Sequence, residues 1–313
     1  MNQSLTQMLT ADDAGIARAA SLLESGLTVA FPTETVYGLG ADARNGTAVA
    51  AVYEAKGRPA FNPLIVHVAG TQQAQEYVHW SDTADLLARH FWPGPLTLVL
   101  PLREGHGLAS LVTAGLPTVA IRVPAHPAAR ALLQAFGGPV AAPSANPSGR
   151  ISPTRADHVM AGLGGKIAAV LDDGPCTVGL ESTIVATDPQ ALLLRAGGLA
   201  TEELARVLGE MPGQPEAGAI TSPGQLLSHY APGAPLRLDA CAPVSGEVML
   251  GFGRMDCDLN LSERGDLTEA ATRLFDCLHQ LDRTGKPIAV APIPEHGLGR
   301  AINDRLRRAA APR

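Results

Sequence analysis

Lys56 and Arg58 stand two residues apart in Lys56-Gly57-Arg58-Pro59-Ala60-Phe61-Asn62-Pro63. Glycine and proline keep them close, and the pair suits a polyphosphate: arginine offers a bidentate fork and lysine a point charge. Hydroxyl-rich stretches add further anion donors. Pro32-Thr33-Glu34-Thr35-Val36-Tyr37-Gly38-Leu39-Gly40 follows one apolar run. Ala142-Pro143-Ser144-Ala145-Asn146-Pro147-Ser148-Gly149, with Ser152-Pro153-Thr154 behind it, follows another. Trp92-Pro93-Gly94-Pro95 makes a rigid turn, Glu181-Ser182-Thr183 opens a strand-like run, and Arg195 closes one. His67 ends a further run, and Thr118, Ala120 and Arg122 fall on one face of theirs. No GxxxxGK[ST] occurs, since Gly164-Gly165-Lys166 is followed by Ile167, and no GxGxxG opens a helix after a strand. A bound nucleotide would therefore need lysine, arginine, hydroxyls and loop amides gathered from several parts of the chain.

Each feature also has a plain alternative. Clusters of Pro, Ser, Asn and Gly make ordinary turns. A single histidine in an apolar strand is commonly a hydrogen-bonded core residue, and arginines at strand ends are commonly solvated or ion-paired. Lys56 and Arg58 also fit the favourable end of a helix dipole. The joint arrangement separates the two readings, because nearly all these residues sit at strand ends, where open α/β sheets place ligand sites.

The elements that must hold these loops follow from the apolar patterning. Thr10 and Asp13 resemble a capping box ahead of a helix stopped by Gly26. Strands are expected at 27–31, 64–68, 96–100, 119–123, 140–142, 167–171, 183–186 and 192–194. Helices are expected at 47–56, 81–90, 126–136, 155–161 and 202–208. Strands interspersed with helices predict an α/β sheet, and connections too short for parallel crossovers make its direction mixed. From Gly209 to Pro235 the pattern lapses into Pro, Gly, Ser and Ala, as in a linker. A smaller α/β unit follows, with strands at 247–252 and 287–291 and helices at 267–281 and 300–309. The expected division is a first domain at 1–208, a linker at 209–235 and a second domain at 236–313, in keeping with 313 residues.

Composition narrows the function. A net charge of −6 gives no general attraction for polyanions, so any basic site is local. Aromatics at 4% argue against stacking platforms for single-stranded nucleic acid. Cys176, Cys241, Cys257 and Cys277 form no CxxC and no metal spacing, and read as reduced thiols. No apolar run approaches the roughly 20 residues of a membrane span. The opening MNQSLTQMLT has neither a basic nor an apolar signal region, so a soluble, cytoplasmic protein is expected.

Taken together, the motifs resemble the threonylcarbamoyl-AMP synthase family in its two-domain form, a YrdC-like N-terminal domain with a smaller C-terminal domain. The resemblance runs through PTETVYGLGADA (32–43), KGRPAFNPLIVHV (56–68), WPGPLTLVL (92–100), the 120–124 strand and APSANPSGRISPT (142–154). It continues through GLEST (179–183), LRAGG (194–198) and SPGQLLSHYAP (222–232), nearly the whole chain. It implies a twisted, mixed, open α/β sheet with helices enclosing a deep basic cavity.

The implied reaction joins L-threonine, bicarbonate and ATP into threonylcarbamoyl-AMP and pyrophosphate, with Mg2+ on the triphosphate and no permanent cofactor or metal. The implied partners are those substrates, the downstream tRNA-threonylcarbamoyl transferase machinery and a transient contact with tRNA. The product feeds N6-threonylcarbamoyl modification of adenosine 37. By the resemblance, Lys56 and Arg58 are catalytic, and Thr35, His67, Arg122 and Ser182 contact threonine. Arg58, Asn62, Thr118, Ser144, Asn146, Ser152 and Arg195 contact the nucleotide. His229 and Tyr230 join them from the linker, expected to fold back over the site. No side chain stands out as a general base. The rival reading is a double-stranded RNA or tRNA-binding module of the same fold. A carbamoyl-transfer enzyme of hydrogenase maturation would bring zinc-finger-like and acylphosphatase-like segments that this chain lacks.

Overall fold

A computed structural model describes residues 5–215 and 229–312, so residues 216–228 of the expected linker lie outside the described residues. The chain begins with β1 (Gln7–Thr10), α1 (Asp13–Glu24), β2 (Val29–Phe31), β3 (Gly38–Asp42) and α2 (Gly46–Lys56). Next come β4 (Ile65–His67), α3 (Thr71–Tyr77), α4 (Asp82–Phe91), β5 (Leu96–Pro101), α5 (Ser110–Thr113) and β6 (Thr118–Arg122). Then follow α6 (Pro127–Phe136), β7 (Val140–Ala141), α7 (Ala156–Leu163), β8 (Ala169–Asp172), β9 (Thr183–Ala186), β10 (Leu192–Arg195) and α8 (Thr201–Leu208). The last part holds β11 (Leu236–Arg237), β12 (Val248–Gly251), β13 (Leu259–Asn260), α9 (Leu267–Asp282), β14 (Ile288–Val290) and α10 (Gly299–Ala310).

Among the described residues, one sheet has ten strands in the order β1-β8-β2-β3-β7-β4-β6-β5-β9-β10. Its direction is mixed as expected: β4 and β6 run parallel, while β6 and β5 run antiparallel. The second sheet, β11-β14-β12-β13, pairs in parallel throughout. Helix α9 carries the chain from β13 back across β12 to β14, a crossover of the kind that parallel pairing uses, while residues 252–258 alone join β12 to β13.

Local chemistry explains the boundaries. Asn45 accepts from the Thr47 and Ala48 amides to start α2, and Gly57, at φ 59°, ends it in the left-handed conformation that glycine adopts without strain. Ser81 caps α4 through Ala84 N. The expected capping box does not form: Asp12 caps α1 by accepting from Gly15 N at 2.8 Å. β3 was expected as loop, because Gly38-Leu39-Gly40 has no strand propensity. Tertiary packing decides otherwise, since a Cβ at position 40 would stand 2.8 Å from Phe31 and 2.9 Å from Val140. β1, α3, α5, β11 and β13 were also not expected, and each is short enough to lack a readable period.

Helices α1 and α6 bury Leu23, Leu132, Leu133 and Phe136 against Val29, Phe31 and Val140. A separate cluster joins the smaller sheet to loops of the first part: Leu274, Phe275 and Leu278 of α9 pack with Leu250 and Val290, and also with Val36, Ile151, Leu180 and Tyr230. Each such side chain contributes about 1.5–3 kcal/mol by leaving water. Phe275→Ala should therefore cost about 3–5 kcal/mol. Urea unfolding should show this as a lower midpoint, with fluorescence and circular dichroism shifting together because the cluster joins both parts.

Candidate active site

The strands bring the singled-out residues to one place. In the parallel pair β4/β6, Ile65 lies beside Ala120 and His67 beside Arg122. Alternation along each strand puts all four on one face. Ile65 and Ala120 join Val99 and Ile184 in a small apolar floor. At the other side, β10 departs from regular pairing: Leu193 faces Val185, yet Arg195 faces Ile184. This bulge inserts a residue and re-aims Arg195. Its Nη2 donates to Ser182 O at 2.8 Å and Ser182 Oγ at 3.3 Å.

A cavity of about 560 Å³, counting its open mouth, results. Of the expected residues, Thr35, Arg58, His67, Arg122, Ser144, Ser182, Arg195, His229 and Tyr230 line it. Lys56, Asn62, Thr118, Asn146 and Ser152 are not among the lining residues. Lys56 Nζ donates to the carbonyls of Ser144 and Asn146, both at 2.5 Å, and so ties the end of α2 to the hydroxyl-rich turn. Ser152 donates to Glu181 Oε1. Asn146 Nδ2 donates to Pro147 O at 3.1 Å and Arg150 O at 2.8 Å, leaving its Oδ1 unpaired. Asn62 is buried with both side-chain polar atoms unpaired. Thr118 opens β6 on the same face as Ala120 and Arg122, two positions beyond the floor.

Two carboxylates that received no role in the sequence reading organise the walls. Glu34 accepts from Arg122 Nη2 at 2.5 Å and, through its other oxygen, from the amides of Ala125 and His126 at 3.0 and 3.3 Å. Arg122 also donates to Gly94 O at 3.1 Å and Thr35 Oγ1 at 2.8 Å. Five guanidinium N–H groups serve three such bonds, so one on each terminal nitrogen remains for a ligand. Burial pushes the Glu34 carboxyl up, but the Arg122 charge and the amide donors outweigh it and hold it below the ordinary carboxylate value. Glu181 behaves likewise: burial raises it, and Arg305 and Arg195 bring it down further. Arg305, from α10, donates to Glu181 Oε2 at 2.7 Å.

The cavity is electropositive. Its lining carries the guanidinium groups of Arg58, Arg122 and Arg195 against the carboxylate of Glu181. Arg58 donates to the carbonyls of Asn62 and Pro63 at 3.1 and 2.8 Å. Burial pushes the Arg58 pKa down to about 10. Burial, with Arg58 second, holds Lys56 well below the ordinary lysine value. The rings of His67 and His229 are each pushed down to about 3, chiefly by burial. Both keep a buried Nδ1 without a partner.

An α/β fold with a buried pocket of guanidinium and hydroxyl groups, and no phosphate loop, belongs to a class of proteins that seat anionic small molecules. Comparison with known proteins narrows the class. A family profile described as "Telomere recombination" matches residues 21–197, and one described as "Threonylcarbamoyl-AMP synthase, C-terminal domain" matches residues 199–311. The threonylcarbamoyl-AMP synthase of Bacillus subtilis is 41% identical, across 99% of this chain and 96% of that protein. That of Pyrococcus abyssi is also 41% identical, across 93% of both. The crystal structure of P. abyssi Sua5 complexed with L-threonine superposes with a TM-score of 0.88 at 39% identity, covering 98% of each chain. Escherichia coli YciO, at 20% identity and a TM-score of 0.55, covers 62% of this chain and 96% of its own, and shares the fold. The chain belongs to the threonylcarbamoyl-AMP synthase family.

Among the groups missed in the sequence, Arg305 had a readable signal. It shares the buried stripe of α10 with Ala301, Ile302, Leu306 and Ala309, where a charge is out of place. Glu34 and Glu181 had none beyond their loops.

The buried histidines set a pH dependence. Between about 6.5 and 3 the unfolded chain takes up protons at His67 and His229 that the folded chain refuses, so stability falls as pH falls through that window. Thermal melts from pH 8 to pH 4 should show this decline, and His67→Gln should make it shallower.

Proposed function

We propose that this chain is an L-threonylcarbamoyladenylate synthase that converts L-threonine, bicarbonate and ATP into threonylcarbamoyl-AMP and pyrophosphate. The meeting of Arg58, Arg122, Arg195, Ser144 and Ser182 in one cavity, from segments far apart in the chain, carries this reading. The relatives' names and the threonine complex of the archaeal relative support it. The RNA-binding alternative is disfavoured, because a duplex backbone needs exposed cations, whereas Arg122 and Arg195 are buried.

The amine of threonine adds to bicarbonate with loss of water, giving a carbamate. A carbamate oxygen then attacks the α-phosphorus of ATP, and pyrophosphate leaves. Nucleophile and triphosphate are both anions, so fixed positive charge is needed to bring them together. Arg122, prealigned by Glu34 and Gly94 O, receives the threonine carboxylate, with Thr35, His67 and Ser182 beside it. Arg58, Arg195 and Ser144 receive the phosphates. Lys56, Asn146 and Ser152 shape the walls from behind, and Asn62 and Thr118 complete the nucleotide end. Mg2+ arrives as part of the ATP substrate. Among the described residues, no group of three or more His, Cys, Asp or Glu able to hold a metal occurs.

His229 and Tyr230 close one side and exclude water from the labile carbamate. In this reading, residues 1–208 form the catalytic unit, 209–235 the connection between units and 236–313 the smaller unit. The product passes to the machinery that transfers the threonylcarbamoyl group to adenosine 37 of tRNA, with transient contact to tRNA. The setting is the cytoplasm.

Purified protein given ATP, Mg2+, bicarbonate and threonine should release pyrophosphate, and omission of threonine should abolish the release. Equal release without an amino acid overturns the assignment. Arg58→Ala should lower kcat/KM for ATP roughly 10- to 150-fold, as expected for a lost charged hydrogen bond of about 1.5–3 kcal/mol. The same assay at varied ATP measures it.

A further inference from the structure

Arg305 is the largest fully buried side chain among the described residues, with none of its surface exposed. It belongs to α10, far from the large sheet in sequence, yet its partners are cavity-wall groups. Nε donates to Glu181 Oε2 at 2.7 Å, and Nη2 donates to Ala196 O at 3.0 Å, one residue past Arg195. The guanidinium carbon lies 4.9 Å from the centre of the Tyr230 ring. Nη1 is held by the neighbouring Asp304 at 2.6 Å. The planar fork thus touches three separate chain segments at once, which an ammonium, as a point charge, cannot reproduce.

Those segments carry the groups placed at the nucleotide. Glu181 takes Ser152 Oγ on its other oxygen and directly precedes Ser182, whose carbonyl and hydroxyl hold Arg195. Tyr230 has φ 62°, a left-handed backbone that residues with side chains seldom adopt, so tertiary contacts must hold it there. Arg305 covers its ring, Phe275 stacks on it at 5.8 Å, and His229 packs edge-on at 4.1 Å. The backbone beside it is pinned from both parts of the molecule: His229 N donates to Arg308 O at 3.2 Å, and Ala231 N donates to Gly149 O at 2.8 Å.

We propose that Arg305 is a positioning residue of the nucleotide site, through which the C-terminal helix fixes Glu181, the Arg195–Ala196 corner and Tyr230 in the closed arrangement. This rests on the synthase reading above. It gives the smaller sheet and its helices a task in catalysis: they supply a cation that touches no substrate but sets the wall that does. An apolar residue would pack on this stripe of α10 without the desolvation that a buried guanidinium demands. The charge is thus suited to fixing geometry more than to stability.

The test uses the full chain, with Arg305→Lys, Arg305→Met, Glu181→Gln and the Arg305→Met/Glu181→Gln double variant. Leu306→Ala, buried on the same helix and away from the cavity, controls for lost stability. Melting temperature, pyrophosphate release at varied ATP and at varied threonine, and ATP binding by calorimetry are measured on each. Arg305→Lys and Arg305→Met should raise KM and Kd for ATP by about tenfold, the size of a coupled buried contact. KM for threonine should move less. The double variant should lose less than the product of the single losses. Leu306→Ala should melt lower while keeping its KM for ATP. Folded Arg305 variants with unchanged ATP parameters, or an ATP effect no larger than that of equally destabilised Leu306→Ala, overturn the proposal alone. A wild-type chain with no threonine-dependent pyrophosphate release overturns the synthase reading and this proposal with it.

Discussion

A charge taken out of water must meet partners fixed in place, because an unpaired buried ion costs more than packing can offset. Two buried guanidinium–carboxylate pairs meet this demand here, and the cavity is built around them. Glu34–Arg122 ties the loop after β2 to the end of β6 and to the amides of Ala125 and His126. Glu181–Arg305 ties the start of β9 to the last helix. Each carboxylate uses both oxygens, so neither wall can shift without breaking more than one bond.

The same constraint shapes the electrostatics. The carboxylates are spent on Arg122 and Arg305, while Arg58 ends on carbonyl oxygens and Lys56 on two more. Positive charge therefore stays in excess inside an enclosed space, where it acts strongly because little water screens it. That is the condition under which two anionic reactants can be held together. It also accounts for a molecule of net charge −6 carrying a basic hollow: the field is local, and the outer surface does not share it.

The large sheet supplies the precision. Parallel neighbours β4 and β6 set His67 against Arg122 in register, and the irregular step in β10 re-aims Arg195 toward Ser182. Segments that would be ordinary turns elsewhere become cavity walls here, since Thr33 Oγ1 accepts from the Thr35 and Val36 amides at 3.2 Å and sets the shape of the first loop. The smaller sheet is part of this arrangement, because its α9 cluster includes Val36, Ile151, Leu180 and Tyr230.

Much of this was legible in the chain itself. The apolar periods placed α2, α4, β5, β9 and α9 within a residue or two, because each buries one regular face, and the mixed sheet followed from connection lengths. The spacing of Lys56 with Arg58 and the Ser144 turn marked the cavity, since glycine and proline punctuate loops visibly. Only the tertiary structure could decide which cations face the hollow. Lys56 turned to the Ser144 and Asn146 carbonyls while Arg58 lines the cavity, a difference of side-chain direction that sequence spacing does not encode. Glycine-rich β3 became a strand through its neighbours, and Arg305 met Glu181 across 124 positions. Local periods report which face of an element is buried; the partner of a buried charge is fixed only once distant segments close on one another.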